Sequence, residues 1–278
     1  MGQAHQRGAE WRIPPDSVAR VSETQNPLPS FLIIGAQKSG TRWLRLNLGR
    51  HPDVFTAPEE PSFFNTRKYD RGLGYYREGF VGWSGEALAG EATPGYMIWR
   101  CEPGLVAERI DATLPAVKLL ALLRNPVDRF YSAFVHHVMR RRIDPDTDLI
   151  ELARGLDPEE DARQLVAGGW YARSLEPYLA RFGPRLRIFL HDDVVADPAA
   201  VYRAALEHIG ADPTFVPNEL DEVVFSRVLP EGSRYWEPGS GRRKLTRGER
   251  GALLELFADE IGRLETMIGR DLSAWKQP

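Results

Sequence analysis

Four apolar residues, Phe31-Leu32-Ile33-Ile34, run straight into Gly35-Ala36-Gln37-Lys38-Ser39-Gly40, after which Trp43, Leu44 and Leu48 mark one stripe of a helix. A buried strand, a glycine turn and a helix start in immediate succession leave the first N–H groups of that helix without internal partners, at the positive end of its dipole. Such a turn is a ready seat for an anion. Gly35 and Gly40 let the backbone curl round it, and Lys38, Thr41 and Arg42 add two charges and a hydroxyl. The glycine spacing is that of a nucleotide P-loop. However, Thr41 follows Gly40 and the lysine lies inside the loop, unlike G-x-x-x-x-G-K-[ST]. The plain alternative is a strand–helix turn with a surface lysine.

Strand and helix patterns alternate beyond this loop. Strands are expected at 31–34, 54–56, 87–91, 118–123 and 185–190. The run KLLALL at 118–123 is apolar without alternation, as in a strand covered on both faces. Helices are expected at 41–50, stopped by His51-Pro52; at 103–113; from Pro126, striped by Val127, Phe130, Phe134 and Val138; at 170–182; and at 197–210. A last helix follows the capping box Thr246-Arg247-Gly248-Glu249, with Leu253, Phe257, Ile261, Leu264 and Ile268 along one side. Segments 69–83 and 214–245 read as irregular, and 144–168 as acidic and partly helical. The pattern predicts an α/β fold, a three-layer sandwich with a central, mostly parallel sheet and a P-loop-like anion loop. Residues 1–29, with Pro14, Pro15, Pro27 and Pro29, read as a flexible or surface-hugging arm, and 30–278 as one domain. In such sheets ligands bind beyond the carboxyl ends of the strands. The Lys38 loop, Glu60, Glu91, Thr93 and Arg124 all fall there.

Charge and cysteine content exclude several classes. The formal net charge of −3 over 278 residues argues against a generic binder of nucleic acid or anionic membrane. The single cysteine, Cys101, allows no internal disulfide and no cysteine-built metal site. No apolar run approaches the roughly 18 residues of a membrane span, and the first residues lack the apolar core of a secretory signal, so the cytoplasm is the expected location. No oligomeric state follows from the sequence.

Two further pieces carry chemistry. Arg124-Asn125-Pro126 ends a strand, and Ser132 follows two helical turns later, so an arginine and a hydroxyl could hold a second phosphate. A late glycine loop, Gly239-Ser240-Gly241-Arg242-Arg243, is basic. In this order and at these separations, the three pieces resemble the sulfotransferases that use 3′-phosphoadenosine 5′-phosphosulfate. The chain is more similar to the heparan-sulfate type of carbohydrate sulfotransferase, from Phe31 to Trp275.

The resemblance implies roles residue by residue. Gln37-Lys38-Ser39-Gly40-Thr41-Arg42 would be the 5′-phosphosulfate loop, with Lys38 bridging phosphate and sulfate. Arg124 through Arg129 to Ser132 would bind the 3′-phosphate, and Ser240-Gly241-Arg242-Arg243 would close over the nucleotide. The product would be 3′-phosphoadenosine 5′-phosphate, no metal would be needed, and Glu60, just before Phe63-Phe64, would be the general base. Pro61, Phe63 and Phe64 would desolvate that carboxylate and raise its pKa toward useful basicity. Glu59 and the more distant Glu91 compete for this role, and a solvated loop carboxylate is the plain alternative.

The chain departs from the resemblance at two positions in the acceptor half. Ala92 stands in Glu91-Ala92-Thr93-Pro94 where some relatives have lysine, and Ser62 stands where they have histidine. A carbohydrate, glycolipid or small-metabolite acceptor is implied, not a nucleic acid. His136 and His137 are alternative bases that read more plainly as packed or exposed helix residues. Arg140-Arg141-Arg142 reads as a solvated helix end. Tyr75, Trp83 and Tyr96 are either core residues or surfaces for a sugar to stack on. The rival readings are a P-loop kinase or ATPase and a non-enzymatic adenine-nucleotide module.

Overall fold

The computed structural model describes residues 26–218, 220 and 228–278. Residues 1–25 of the expected arm, and part of the 214–245 segment, lie outside the described residues. The elements in chain order are β1 (Phe31–Gly35), α1 (Thr41–Leu48), β2 (Val54–Thr56), α2 (Gly72–Glu78), β3 (Leu88–Ala92), α3 (Pro103–Thr113), β4 (Lys118–Leu123) and α4 (Pro126–Met139). Then come α5 (Leu149–Gly155), α6 (Tyr171–Phe182), β5 (Leu186–Leu190), α7 (His191–Ala196), α8 (Pro198–Ile209), α9 (Arg247–Glu255) and α10 (Ala258–Ile268), with short 3₁₀ turns between.

The five strands form one sheet in the order β2-β3-β1-β4-β5, and every pairing is parallel. Successive side chains along a strand point to opposite faces. Leu32 and Ile34 of β1, with Leu119, Ala121 and Leu123 of β4, therefore enter the core that α3, α4, α6 and α10 cover. Phe31 and Ile33, with Leu120 and Leu122, enter the core under α1 and α8. The continuous apolar runs are explained by this two-sided burial. Phe31 pairs with Gly90 across the β1–β3 ladder. Its ring lies so close that a Cβ on Gly90 would be 2.2 Å away.

Parallel strands bring all five carboxyl ends to one edge, which is where the glycine loop, Glu60, Thr93, Arg124 and His191 lie. The edge at α4 is built by local chemistry. The Asn125 side chain caps the helix by accepting from Val127 N–H at 2.9 Å, and Pro126 occupies the first turn, where its missing N–H costs nothing. Asn125 also donates to the Trp275 carbonyl at 3.3 Å, which ties the last turn of the chain to this corner.

The final helix differs from the single stripe expected. It divides at Leu256–Phe257, where Leu256 and Phe257 N–H groups bond three residues back to Leu253 and Leu254. This tighter turn seats Phe257 in the core and opens α10 with Glu260. The buried Glu260 carboxylate accepts from Ala172 N–H and Arg173 Nε, fixing α10 against the start of α6. Two short helices, α2 and α7, lack apolar periodicity long enough to be seen in the sequence. Among the described residues, no helix is long and apolar enough to cross a membrane.

Candidate functional site

The loop after β1 has the features of an anion cradle. Gly40 adopts φ +104° and Lys38 φ +70°, turning consecutive backbone groups inward. Gly40 could carry no side chain, because a Cβ there would lie 2.9 Å from Leu122. Helix α1 begins with no side-chain cap and no acidic residue in its first turn. Its first N–H groups are thus left to an external acceptor. Ser39 and Thr41 are buried at the base of the loop, and Gln37 and Lys38 are half-buried.

On the other side of β1, Arg124 leaves the end of β4 half-buried. Burial pushes its pKa down, and the nearby Arg242 pushes the same way. The neighbouring acid Asp128 is engaged by Arg250. Arg242 is thus within electrostatic reach of Arg124, and two cations so placed would suit an anion. The backbone of Arg124 is held by Tyr171, whose Oη donates to its carbonyl at 2.9 Å. The basic glycine loop is anchored over the same corner by Tyr131, whose Oη donates to the Arg243 carbonyl at 2.8 Å. Tyr131 neighbours Ser132, which is half-buried on α4.

Glu60 lies on the loop after β2. Phe63 and Phe64 are buried in the core, and Phe63 stacks on Tyr76 at 4.3 Å between ring centroids. These rings hold the loop down while Glu60 stays at the surface of the cleft. Solvent reaches the Glu60 carboxylate, yet enough protein flanks it that desolvation raises its pKa above the ordinary 4.5. That influence outweighs Lys38, then Arg45 and Arg42, which all pull the other way. Lys38 and Glu60, from two different loops, are therefore within electrostatic reach of each other. Arg45, one turn along α1 from Thr41, also donates to the Ala57 carbonyl at 2.9 Å and ties α1 to the start of the Glu60 loop.

The chain matches a known family of proteins. A family model described as the sulfotransferase domain matches residues 28–229. The chain belongs to the sulfotransferase family. It is 33% identical over 183 residues to human heparan sulfate glucosamine 3-O-sulfotransferase 6, covering 66% of this chain and 52% of that protein. It is 32% identical over 268 residues to mouse heparan sulfate glucosamine 3-O-sulfotransferase 3B1, covering 93% and 63%. Mouse bifunctional heparan sulfate N-deacetylase/N-sulfotransferase 1 matches at 32% over 283 residues, 91% of this chain but 31% of that one. The chain thus spans about half the length of the first of these relatives. Among solved structures, a sulfotransferase from Alicyclobacillus acidocaldarius superposes with a TM-score of 0.71 at 27% identity, over 90% of this chain and all of that one.

Within this member of the family the expected site residues separate into two groups. Gln37 through Arg42, Glu60 and Arg124 fall at the carboxyl-end edge, Ser132 lies two turns along α4, and Arg242 is within electrostatic reach of Arg124. Arg243 is different: its guanidinium donates to both Glu249 oxygens, at 2.8 and 2.7 Å, and lies 4.8 Å from the Tyr235 ring centre. Its side chain shapes the loop, while Arg242 is within electrostatic reach of Arg124. Ser240 Oγ likewise bonds within the loop, to Glu237 and the Arg242 carbonyl. Arg129 is fully buried, and its Nη2 donates to the carbonyls of Gln164 and Leu165, bracing the 161–168 segment. His137 is buried, its Nε2 bonded to the Arg163 carbonyl at 3.2 Å, with its pKa lowered by burial. Ala92 is buried in the strand core.

Glu91, a competitor for the base, is fully buried and saturated. Tyr96 Oη and Tyr76 Oη donate to its Oε1 at 2.7 and 3.2 Å, and Thr93 Oγ1 donates to its Oε2 at 2.7 Å. It has no route to an acceptor hydroxyl. Arg45 and Tyr76 were given no role from the sequence; Thr93 was placed at the strand-end edge without a partner, and Tyr96, read as core or a stacking surface, is core and bonded to Glu91. Arg45 was signalled only by its four-residue spacing from Thr41, and Tyr76, fifteen residues before Glu91, carried no sequence signal for that contact.

Proposed function

We propose that this chain transfers a sulfuryl group from 3′-phosphoadenosine 5′-phosphosulfate to a hydroxyl of a carbohydrate acceptor, releasing 3′-phosphoadenosine 5′-phosphate. The observation that carries the reading is the meeting of Lys38 and Glu60 across two strand ends, with Glu60 raised in pKa against three cations. The donor nucleotide, when bound, supplies the activated sulfuryl group. Backbone N–H groups of 37–42, with Thr41 and Arg42, would hold its 5′ end; Arg124, Ser132 and Arg242 would hold the 3′-phosphate. The uncapped α1 start and the two neighbouring arginines support that fit. Lys38 neutralises charge on the oxygen that departs with the nucleotide, and Glu60 takes the proton from the acceptor hydroxyl. Residues 30–278 would act as a single catalytic domain. The relatives named for heparan sulfate support a glycan acceptor, with glycolipids and small metabolites as the other acceptor classes, and the lone Cys101 agrees with a cytoplasmic location.

Glu60→Gln tests the assignment. It is expected to keep stabilisation by 3′-phosphoadenosine 5′-phosphate while sulfuryl transfer to heparan sulfate falls by about 10²–10⁴. Full transfer by the variant would remove Glu60 from the mechanism. Stabilisation by magnesium-ATP alone would instead favour a P-loop kinase, against which stands Thr41 in the place of the P-loop lysine.

A further inference from the structure

The loop that carries Glu60 is held by two backbone hydrogen bonds to side chains outside it. Ser62 N–H donates to Thr93 Oγ1 at 3.2 Å, and Phe63 N–H donates to Tyr96 Oη at 3.3 Å. Both hydroxyls pass their own proton on to the Glu91 carboxylate, one to each oxygen, and Tyr76 adds a third donor while stacking on Phe63. We propose that Glu91 is a positioning residue for the general base: it orients the Thr93 and Tyr96 hydroxyls as acceptors for Ser62 and Phe63, and so fixes the loop that presents Glu60. The inference rests on the assignment of Glu60 as that base.

Proton counting carries the argument. A hydroxyl has one proton and two lone pairs. Thr93 can accept from Ser62 N–H only if its proton points elsewhere, and the same holds for Tyr96 and Phe63. When ionised, the Glu91 carboxylate accepts only and so holds both hydroxyls in the required sense. A group that donates in its place would turn a hydroxyl proton back toward an amide proton. The local chain builds this geometry. Thr93 N–H extends the β3–β1 ladder to the Ile33 carbonyl, and the turn at Pro94–Met97 brings Tyr96 back over Glu91, with its N–H on the Thr93 carbonyl at 3.1 Å. The carboxylate is buried beneath the loop, and burial pushes its pKa up to about 7, partly offset by the three hydroxyl donors; the charge of Glu60 pushes the same way.

The test uses Glu91→Gln, Thr93→Val and Thr93→Ser, with heparan sulfate as acceptor and 3′-phosphoadenosine 5′-phosphate as nucleotide probe. Three quantities are read: amide hydrogen exchange at Ser62 and Phe63, nucleotide-induced thermal shift, and kcat against KM for the donor. Glu91→Gln and Thr93→Val are expected to speed exchange at Ser62 and lower kcat by about tenfold or more, with donor KM and thermal shift retained. Thr93→Ser restores the hydroxyl and is expected to restore both. If Glu91→Gln fails to fold, Thr93→Val and Tyr96→Phe carry the same comparison. Wild-type exchange and kcat in Thr93→Val, or a Thr93→Ser variant as impaired as Thr93→Val, would overturn the inference. Failure of the base assignment shows separately, as full turnover in Glu60→Gln.

Discussion

At the scale of single residues, two carboxylates of the site titrate in ways that can be separated. As the proposed base, Glu60 would have to be ionised to accept a proton, and its pKa is raised by desolvation. The sulfuryl-transfer rate is therefore expected to fall as pH drops through a value above 4.5, with Lys38, Arg45 and Arg42 moderating the shift and Glu59 adding to it. A pH–rate profile of kcat/KM reads that value. Glu91 rises from an ordinary 4.5 to about 7, so the folded chain binds its proton more tightly than the unfolded chain does. Stability from this group is present below 4.5 and is lost as pH rises toward 7. Its neighbours Tyr76 and Tyr96 stay neutral throughout this range, since burial raises both. The difference in Tm between wild type and Glu91→Gln is thus expected to shift against the wild type from pH 5 to pH 8; a difference independent of pH would contradict it. Lys38 and Arg124 stood out as candidates because each closes an apolar run at a turn, whereas Glu60 stood out through the resemblance, by its place before Phe63-Phe64. The burial of Glu91 was not, because Gly-Glu-Ala beside apolar residues suits a surface as well as a core. Nor could spacing show that Glu249, six residues on, engages Arg243.

At the scale of elements, β1 and β4 were readable to within a residue because two-sided burial demands unbroken apolar runs, while β2, β3 and β5 were bounded by the turns around them. Their order in the sheet was not, since any of these runs would suit any interior position. The β1–β3 pairing depends on a contact visible only in three dimensions, Phe31 over Gly90. Gly90→Ala places a methyl carbon 2.2 Å from the ring, and neither strand can retreat without breaking its ladder. The variant is expected to lose about 1–3 kcal/mol of stability, measured by denaturant unfolding. An unchanged midpoint would mean that the ring has room to turn aside. The break between α9 and α10 was hidden for a related reason. The stripe from Leu253 to Ile268 keeps helical spacing across it, while the turn follows from tertiary contacts of Phe257 and Glu260.

At the scale of the whole molecule, the proposed donor site draws on the loop after β1, the end of β4 with α4, and the glycine loop before α9. A nucleotide that bridges them would bind the folded chain alone. At about 100 times Kd it would add roughly 2.7 kcal/mol, or some 5–11 °C in Tm at about 2–4 °C per kcal/mol. 3′-Phosphoadenosine 5′-phosphate should give this shift and its 3′-hydroxyl counterpart ADP much less; equal shifts would remove Arg124 and Ser132 from the 3′-phosphate role. The strand order has a consequence for synthesis as well. β1 leaves the ribosome first but occupies the middle of the sheet, and its neighbours β3 and β4 lie about 60 and 90 residues downstream. Both edges of β1 stay open until those strands emerge, and closing such long loops is the slow part of assembling a parallel sheet. The nascent chain therefore exposes Phe31–Gly35 for much of translation, which makes that stretch the natural target of chaperones and the first place at which hurried production would aggregate.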